Sequence, residues 1–317
     1  IIICRSDRAV EKSIRQKISL FCNVPESQIF TSQDMPSIYE LPLNFQKQGL
    51  DEKITELLGM WTAQPNIEDL EQVLHNINNP VRRVKVGIVG KYTELIESYK
   101  SLDEALNHGA ISNQLEFEPI YIDAEDLLTD KKESILNQVD GILVPGGFGE
   151  RGTEGKIQAI EYARENGVPF FGICLGMQLA MIEFSRNVVG ITDATSQEFE
   201  SSGTPVIHYI EGQSKDVSKG GSMRLGAYDC EIKSGTLTEK VYEASMISER
   251  HRHRLEVNND YVEEIEKAGM IISGRNPDLG LVEVIELPNH PFFIACQYHP
   301  EFKSRPYMPH PLFKNFI

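Results

Sequence analysis

The sequence contains no CxxC pair, no long apolar run and little positive charge. Its five cysteines, Cys4, Cys22, Cys174, Cys230 and Cys296, are odd in number and widely spaced. That argues against a disulfide framework or a zinc site and for a reducing, cytoplasmic setting, with most of the thiols packed as small hydrophobes. Lys and Arg number 31 against 47 Asp and Glu, a formal net charge of −16. Nucleic-acid binding needs clustered cations, so this balance argues against it, while saying little about fold. Nothing approaches the roughly 20 apolar residues of a membrane span. An initiator methionine and a signal-peptide layout are also missing, and the opening "IIICRSDR" reads as the interior of a longer protein, cut before a buried strand. Internal repeats and low-complexity segments are absent as well.

What remains is an ordinary globular composition, 40% hydrophobic and 25% charged over 317 residues, enough for one large domain or two. The first fifty residues read as short α/β units, followed by one or two helices between Ile54 and Asn79. "NINNPVRR" combines turn formers with Pro80 and marks a domain boundary. Beyond it the strands "VRRVKVGIVGKY", "EFEPIYID", "DGILVPGG" and "VPFFGIC" alternate with helical segments, which implies βαβ crossovers and a mostly parallel sheet. Such sheets carry their sites at the carboxyl ends of strands.

"GICLG" places Cys174 where a strand should give way to a helix, the sulfur counterpart of the G-x-S-x-G elbow. A helix N-terminus favours a thiolate, whereas the plainer reading is a cysteine packed in a core. In "PGGFGERG", Gly147, Gly149 and Gly152 spell G-x-G-x-x-G, but Pro145 interrupts the strand-to-loop join and no ribose-binding acid follows. The better use of these glycines is an oxyanion hole, the alternative an ordinary turn. "VGIVGKY" is not a P-loop, because its glycines crowd Lys91 and Tyr92 replaces the required hydroxyl. In "FFIACQYHPEF", His299 and Glu301 are two apart, so in extended backbone Glu301 can accept from one ring nitrogen and leave the other for a thiol. "ERHRHRLEVN" reads either as a solvated turn or as recognition of a carboxylate or phosphate, and "SKGGSMRLGAY" as a lid or a plain loop.

In this order, "PGGFG", "GICLGMQ" and "QYHPEF" resemble the class I glutamine amidotransferase domain. "CRSDRAV", "LFCNVP", "SIYELP", "VGKYTEL", "GGSMRLGA" and "ERHRHRLEVNN" extend the resemblance to the CTP synthase family over essentially the whole chain. The resemblance implies an α/β, flavodoxin-like sheet flanked by helices over residues 84–317. Ahead of it would come a remnant of a P-loop-type amidoligase domain over 1–60 and a helical linker over 61–83. It implies Cys174 as nucleophile, His299 as its base and Glu301 as the residue orienting His299, with Gly147 and the Leu175 backbone as oxyanion hole. The glutamine pocket would comprise Gly146, Gly147, Leu175, Gly176, Met177, Gln178, Glu198 and Arg254, with Arg254 on the α-carboxylate and Glu198 on the α-ammonium. Lys17 would touch UTP or CTP and Met35 ATP, while Phe148, Arg151 and Arg224 would belong to a GTP effector site.

The resemblance implies a ligase that aminates UTP to CTP with ATP, Mg2+ and glutamine, activated by GTP and assembled as a homotetramer or filament. This chain would carry the glutaminase half, needing no cofactor and holding no metal. It could not make CTP alone. Two other readings keep the fold: a γ-glutamyl hydrolase acting on peptides or conjugates, and a non-catalytic scaffold.

Overall fold

The computed structural model describes all residues except 64, 92–95, 200–201 and 211–222. The chain divides into two compact units, Ile1–Asn79 and Pro80–Ile317.

The first unit pairs β1 (Ile2–Ser6) in parallel with a strand joined to it through helix α1 (Lys12–Cys22). That partner is β2 (Ile29–Gln33), and α2 (Leu41–Lys47), α3 (Leu50–Leu57) and α4 (Glu68–Asn78) follow. α1 ends where Asn23 takes a left-handed conformation (φ 51°), a standard helix stop. Lys17 is exposed on α1, and Met35 is half-buried just after β2.

Among the described residues the second unit is built on a nine-stranded sheet and a three-stranded one. In chain order its first elements are β3 (Arg82–Gly90), α5 (Lys100–Ser112), β4 (Leu115–Asp123), α6 (Lys132–Leu136) and β5 (Gly141–Val144). α7 (Thr153–Asn166), β6 (Phe170–Ile173) and α8 (Leu175–Phe184) follow. Next come β7 (Ala194–Ser196), β8 (Thr204–Tyr209), β9 (Arg224–Ile232), α9 (Leu237–Tyr242), β10 (Met246–His253) and β11 (Leu255–Val257). The chain ends through α10 (Val262–Lys267), β12 (Ile271–Arg275), β13 (Val282–Glu286), β14 (Phe293–Cys296) and α11 (Pro311–Phe316).

The large sheet has the order β10-β9-β12-β13-β14-β6-β5-β3-β4. β14, β6, β5, β3 and β4 run parallel, and the remaining four strands extend the sheet as an antiparallel wing. A small sheet, β11-β8-β7, lies apart from it. Alternation along the central strands splits the core in two. Ile142, Val144 and Phe170 pack with Ile157, Ile160 and Met181 of α7 and α8. Leu143, Phe171 and Ile173 pack with Leu102 and Leu106 of α5 and Phe313 of α11. The wing was not foreseen, and "ERHRHR" is one of its strands, β10, not a solvated turn. Its period is two: Glu249, His251 and His253 are buried while Arg250 and Arg252 face outward. Among the described residues no helix is long and apolar enough to cross a membrane.

Candidate active site

Three adjacent parallel strands, β14, β6 and β5, end side by side, and each delivers one part of the site. β6 ends in Cys174, the residue before α8, with φ 53° and ψ −101°. A non-glycine residue at positive φ is strained, and here the strain turns the chain from strand to helix within one residue. The flanking glycines permit the turn. A Cβ on Gly176 would lie 2.1 Å from the Val144 carbonyl oxygen, and one on Gly172 would lie 2.8 Å from the Ala295 Cβ. The backbone is held by Cys174 N–H donating to the Cys296 carbonyl at 2.7 Å.

β14 runs on through Gln297 to His299, whose Nδ1 lies 2.7 Å from Glu301 Oε1. Cys174 lies beside the same ring, and with Nδ1 engaged by Glu301 the nitrogen left for the sulfur is Nε2. Burial pulls the imidazole pKa down, but the neighbouring Cys174 and Glu301 outweigh it and raise His299 from 6.5 to about 10. β5 supplies Pro145, Gly146 and Gly147. A Cβ on Gly146 would lie 2.8 Å from His299 Cε1 and 3.6 Å from the Cys174 Cβ, so only glycine fits beside the pair. A cavity of about 160 Å³ opens at this point, lined in part by Pro145, Gly146, Ile173, His299 and Glu301.

Gly147 lies against the start of α8, with Leu175 Cδ2 3.4 Å from the position of its missing Cβ. Leu175 is the first residue of α8, so its N–H has no intrahelical acceptor and is open to an incoming oxygen. Gly176 and Met177 are buried, which limits them to backbone contacts with a ligand. Glu198 accepts from Gly149 N–H at 3.0 Å and so ties the glycine loop to the segment after β7. Arg254 is half-buried between β10 and β11. Gln178 is buried, and its Nε2 donates both to the Leu255 carbonyl at 3.1 Å and to Gln297 Oε1 at 3.2 Å.

The residues tied to a nucleotide effector separate. Phe148 is 69% exposed under the Lys91 ammonium, and Arg151 is exposed. Arg224 is buried, unlike the other two. Its side chain is 4% exposed, with Nη1 3.3 Å from Glu256 Oε1 and Nη2 2.6 Å from Glu283 Oε1. It is an inward position of β9 and is enclosed by these two carboxylates. Around it lies a buried cluster that went unread in the sequence. Burial pushes Glu256 up to about 8 and Glu283 up to about 7. Burial also pushes His251 down to about 2 and His253 to about 3. Lys156 was missed as well. It is 2% exposed close to Gly147, and burial with Lys91 nearby lowers it to about 8. Of the suggested lid, residues 218–222 lie outside the described residues, while Arg224 to Tyr228 are part of β9.

The family description Glutamine amidotransferase class-I matches residues 94–317. The chain belongs to that family. A second description, CTP synthase N-terminus, matches residues 1–60, and the chain falls with the CTP synthases. It is 51% identical over 318 residues to a CTP synthase of Syntrophus aciditrophicus (strain SB), covering 100% of this chain and 59% of the relative. It is 52% identical over 319 residues to one from Trichlorobacter lovleyi, covering 100% and 60%. The chain thus spans about 60% of the length of these curated relatives. A solved structure described as the Trypanosoma brucei CTPS glutaminase domain with bound acivicin superposes with a TM-score of 0.69 at 40% identity, covering 74% of this chain and 92% of that one.

Proposed function

We propose that the chain is the glutamine-hydrolysing part of a CTP synthase. The observation that carries the reading is the convergence of Cys174, His299 and Glu301 at the ends of two neighbouring parallel strands, with Gly146 wedged against both the thiol and the imidazole. The Cys174 thiolate attacks the amide carbon of glutamine, forming a C–S bond as the carbonyl pair moves onto oxygen. N–H groups of Gly147 and Leu175 receive that oxyanion. When the pair returns, the C–N bond breaks and His299 gives its proton to the departing nitrogen, releasing ammonia. Water, losing a proton to His299, adds to the thioester. The C–S bond then breaks, glutamate leaves and the electron pair returns to sulfur. Glu301 holds the ring so that one nitrogen faces the sulfur. Arg254, Glu198, Gln178 and the backbone of Gly146, Gly176 and Met177 line the site for the glutamine carboxylate, ammonium and chain.

In the whole protein the ammonia would aminate UTP to CTP in a cytoplasmic, homotetrameric enzyme. ATP and Mg2+ drive that step, GTP activates it, and Lys17 and Met35 serve nucleotides. Phe148 and Arg151 remain the exposed candidates toward GTP. Among the described residues no group of three or more His, Cys, Asp or Glu is arranged to hold a metal ion.

The test is Cys174→Ala in the full-length protein. Glutamine-dependent CTP formation should disappear while ammonia-dependent formation persists, and persistence of the glutamine reaction would refute the nucleophile assignment. Acivicin, described as bound to the Trypanosoma brucei domain, is a suitable probe of the same thiol.

A further inference from the structure

The sulfur of Cys174 has a second neighbour. β14 and β6 are paired with Cys296 opposite Ile173, so the next residue on each strand, Gln297 and Cys174, also lie side by side. Gln297 is fully buried, its backbone N–H donates to the Glu283 carbonyl at 2.8 Å, and its Nε2 lies 3.7 Å from Cys174 Sγ. Which end of this amide faces the sulfur is set by its surroundings. The Leu255 carbonyl can only accept, so the Gln178 group beside it must be the NH2. That same NH2 lies 3.2 Å from Gln297, which must answer with its oxygen and turn its own NH2 to the sulfur. One backbone carbonyl thereby orders two side-chain amides, and the last of them is a donor aimed at the nucleophile.

We propose that Gln297 is a catalytic residue of this site, donating an N–H···S hydrogen bond that favours and aims the Cys174 thiolate, with Gln178 as its positioning residue. A sulfur anion accepts such a bond far better than a neutral thiol or a thioester sulfur. The donor therefore stabilises sulfur in the two states where it carries charge: before attack, and when the C–S bond breaks and the electron pair returns to it. His299 cannot act alone here, because it must also deliver protons to nitrogen and take them from water. The other groups around the pair are Glu301 behind the imidazole, the buried Cys296 thiol on β14, His251 and His253 on β10, and Lys156 on α7 near Gly147. Burial keeps Cys296 protonated, and His251 and His253 are neutral, so none of these three supplies a charge to the sulfur at neutral pH.

The inference rests on Cys174 being the nucleophile, and its test reads the thiol apart from turnover. In the full chain, the rate of Cys174 alkylation by iodoacetamide is followed against pH, with the modified peptide identified by mass spectrometry so that Cys4 and Cys22 do not contribute. Gln297→Met removes the donor at similar volume and should move the alkylation midpoint up by about one pH unit, the scale of a lost charge-assisted bond. Gln297→Glu, which turns an acceptor toward the sulfur, should move it further. In both, kcat for glutamine hydrolysis should fall about tenfold or more with KM little changed. Gln178→Met leaves the sulfur's neighbour in place and should give a smaller shift in the same direction, which covers the case in which position 297 variants do not fold. An unchanged alkylation profile in the folded variants overturns the proposal. Glutaminase activity surviving in Cys174→Ala would instead overturn the reading beneath it, whatever the alkylation profiles show.

Discussion

At the scale of single residues the site is governed by close approach. Gly146 leaves no room for a side chain, since a Cβ would reach 2.8 Å from His299 Cε1. Gly146→Ala should displace the imidazole and reduce glutamine hydrolysis about a hundredfold, with the unfolding temperature almost unchanged. Glu301 acts on charge. Its hydrogen bond to His299, together with the neighbouring Cys174, raises the ring to about 10 against the pull of burial. In Glu301→Gln one of these supports is weakened, so the imidazolium loses its proton at a lower pH. The alkaline limb of the kcat/KM profile should move down by about one unit, with a rate loss of about tenfold or more, measurable from pH–rate curves.

At the scale of elements, glycine backbone lets helices sit directly on strands and turns. A Cβ on Gly155 of α7 would lie 1.7 Å from the Ala124 carbonyl oxygen, and nothing there is a flexible side-chain end that could swing away. Gly155→Ala should destabilise the second unit by about 3 kcal/mol, read from denaturant unfolding, because helix and turn must separate. The nucleophile's elbow uses the same device at Gly172 and Gly176, so its geometry is carried by the packing of β6, α8 and β14 together. α8 shows how thorough this is: all ten of its residues are buried, and Glu183 among them is answered by Arg164 at 2.8 Å.

At the scale of the second unit, stability should follow the titration of its buried cluster. His251 and His253 sit far below their ordinary value of 6.5, whereas Glu256 and Glu283 sit above their ordinary 4.5, at about 8 and 7. Between pH 4.5 and 6.5 the unfolded chain binds protons on the histidines and the folded one on the glutamates, so the two contributions offset each other. Above about 6.5 the folded state alone holds the glutamate protons, and stability falls as pH rises toward 8. Below 4.5 the unfolded chain binds protons on all four groups, and stability falls again. Thermal unfolding against pH should therefore show a plateau in that interval, and Glu256→Gln should flatten the decline on its alkaline side.

Much of this architecture was legible without coordinates. Short apolar strand runs alternating with helical segments announce a parallel sheet, and the glycines about Cys174 announce a tight strand-to-helix turn, because crossovers need a helix's length of chain and a tight turn needs glycine. The pairing of His299 with Glu301 is equally local, two residues apart on one strand end. The antiparallel wing was not legible, since the polar face of β10 hides a strand among histidines and arginines whose burial depends on what lies across from them. Arg224 is in the same position: nothing near it in sequence tells that Glu256 and Glu283 will enclose it. Gln297 stands two residues before His299 in plain view, yet its role depends on β6 lying beside β14 and on one carbonyl of β11 fixing the direction of two amides. Local sequence determined which groups can do chemistry and where the chain must turn; strand order alone decided which of those groups meet, because neighbours in a parallel sheet are set by crossovers and core packing, not by distance along the chain.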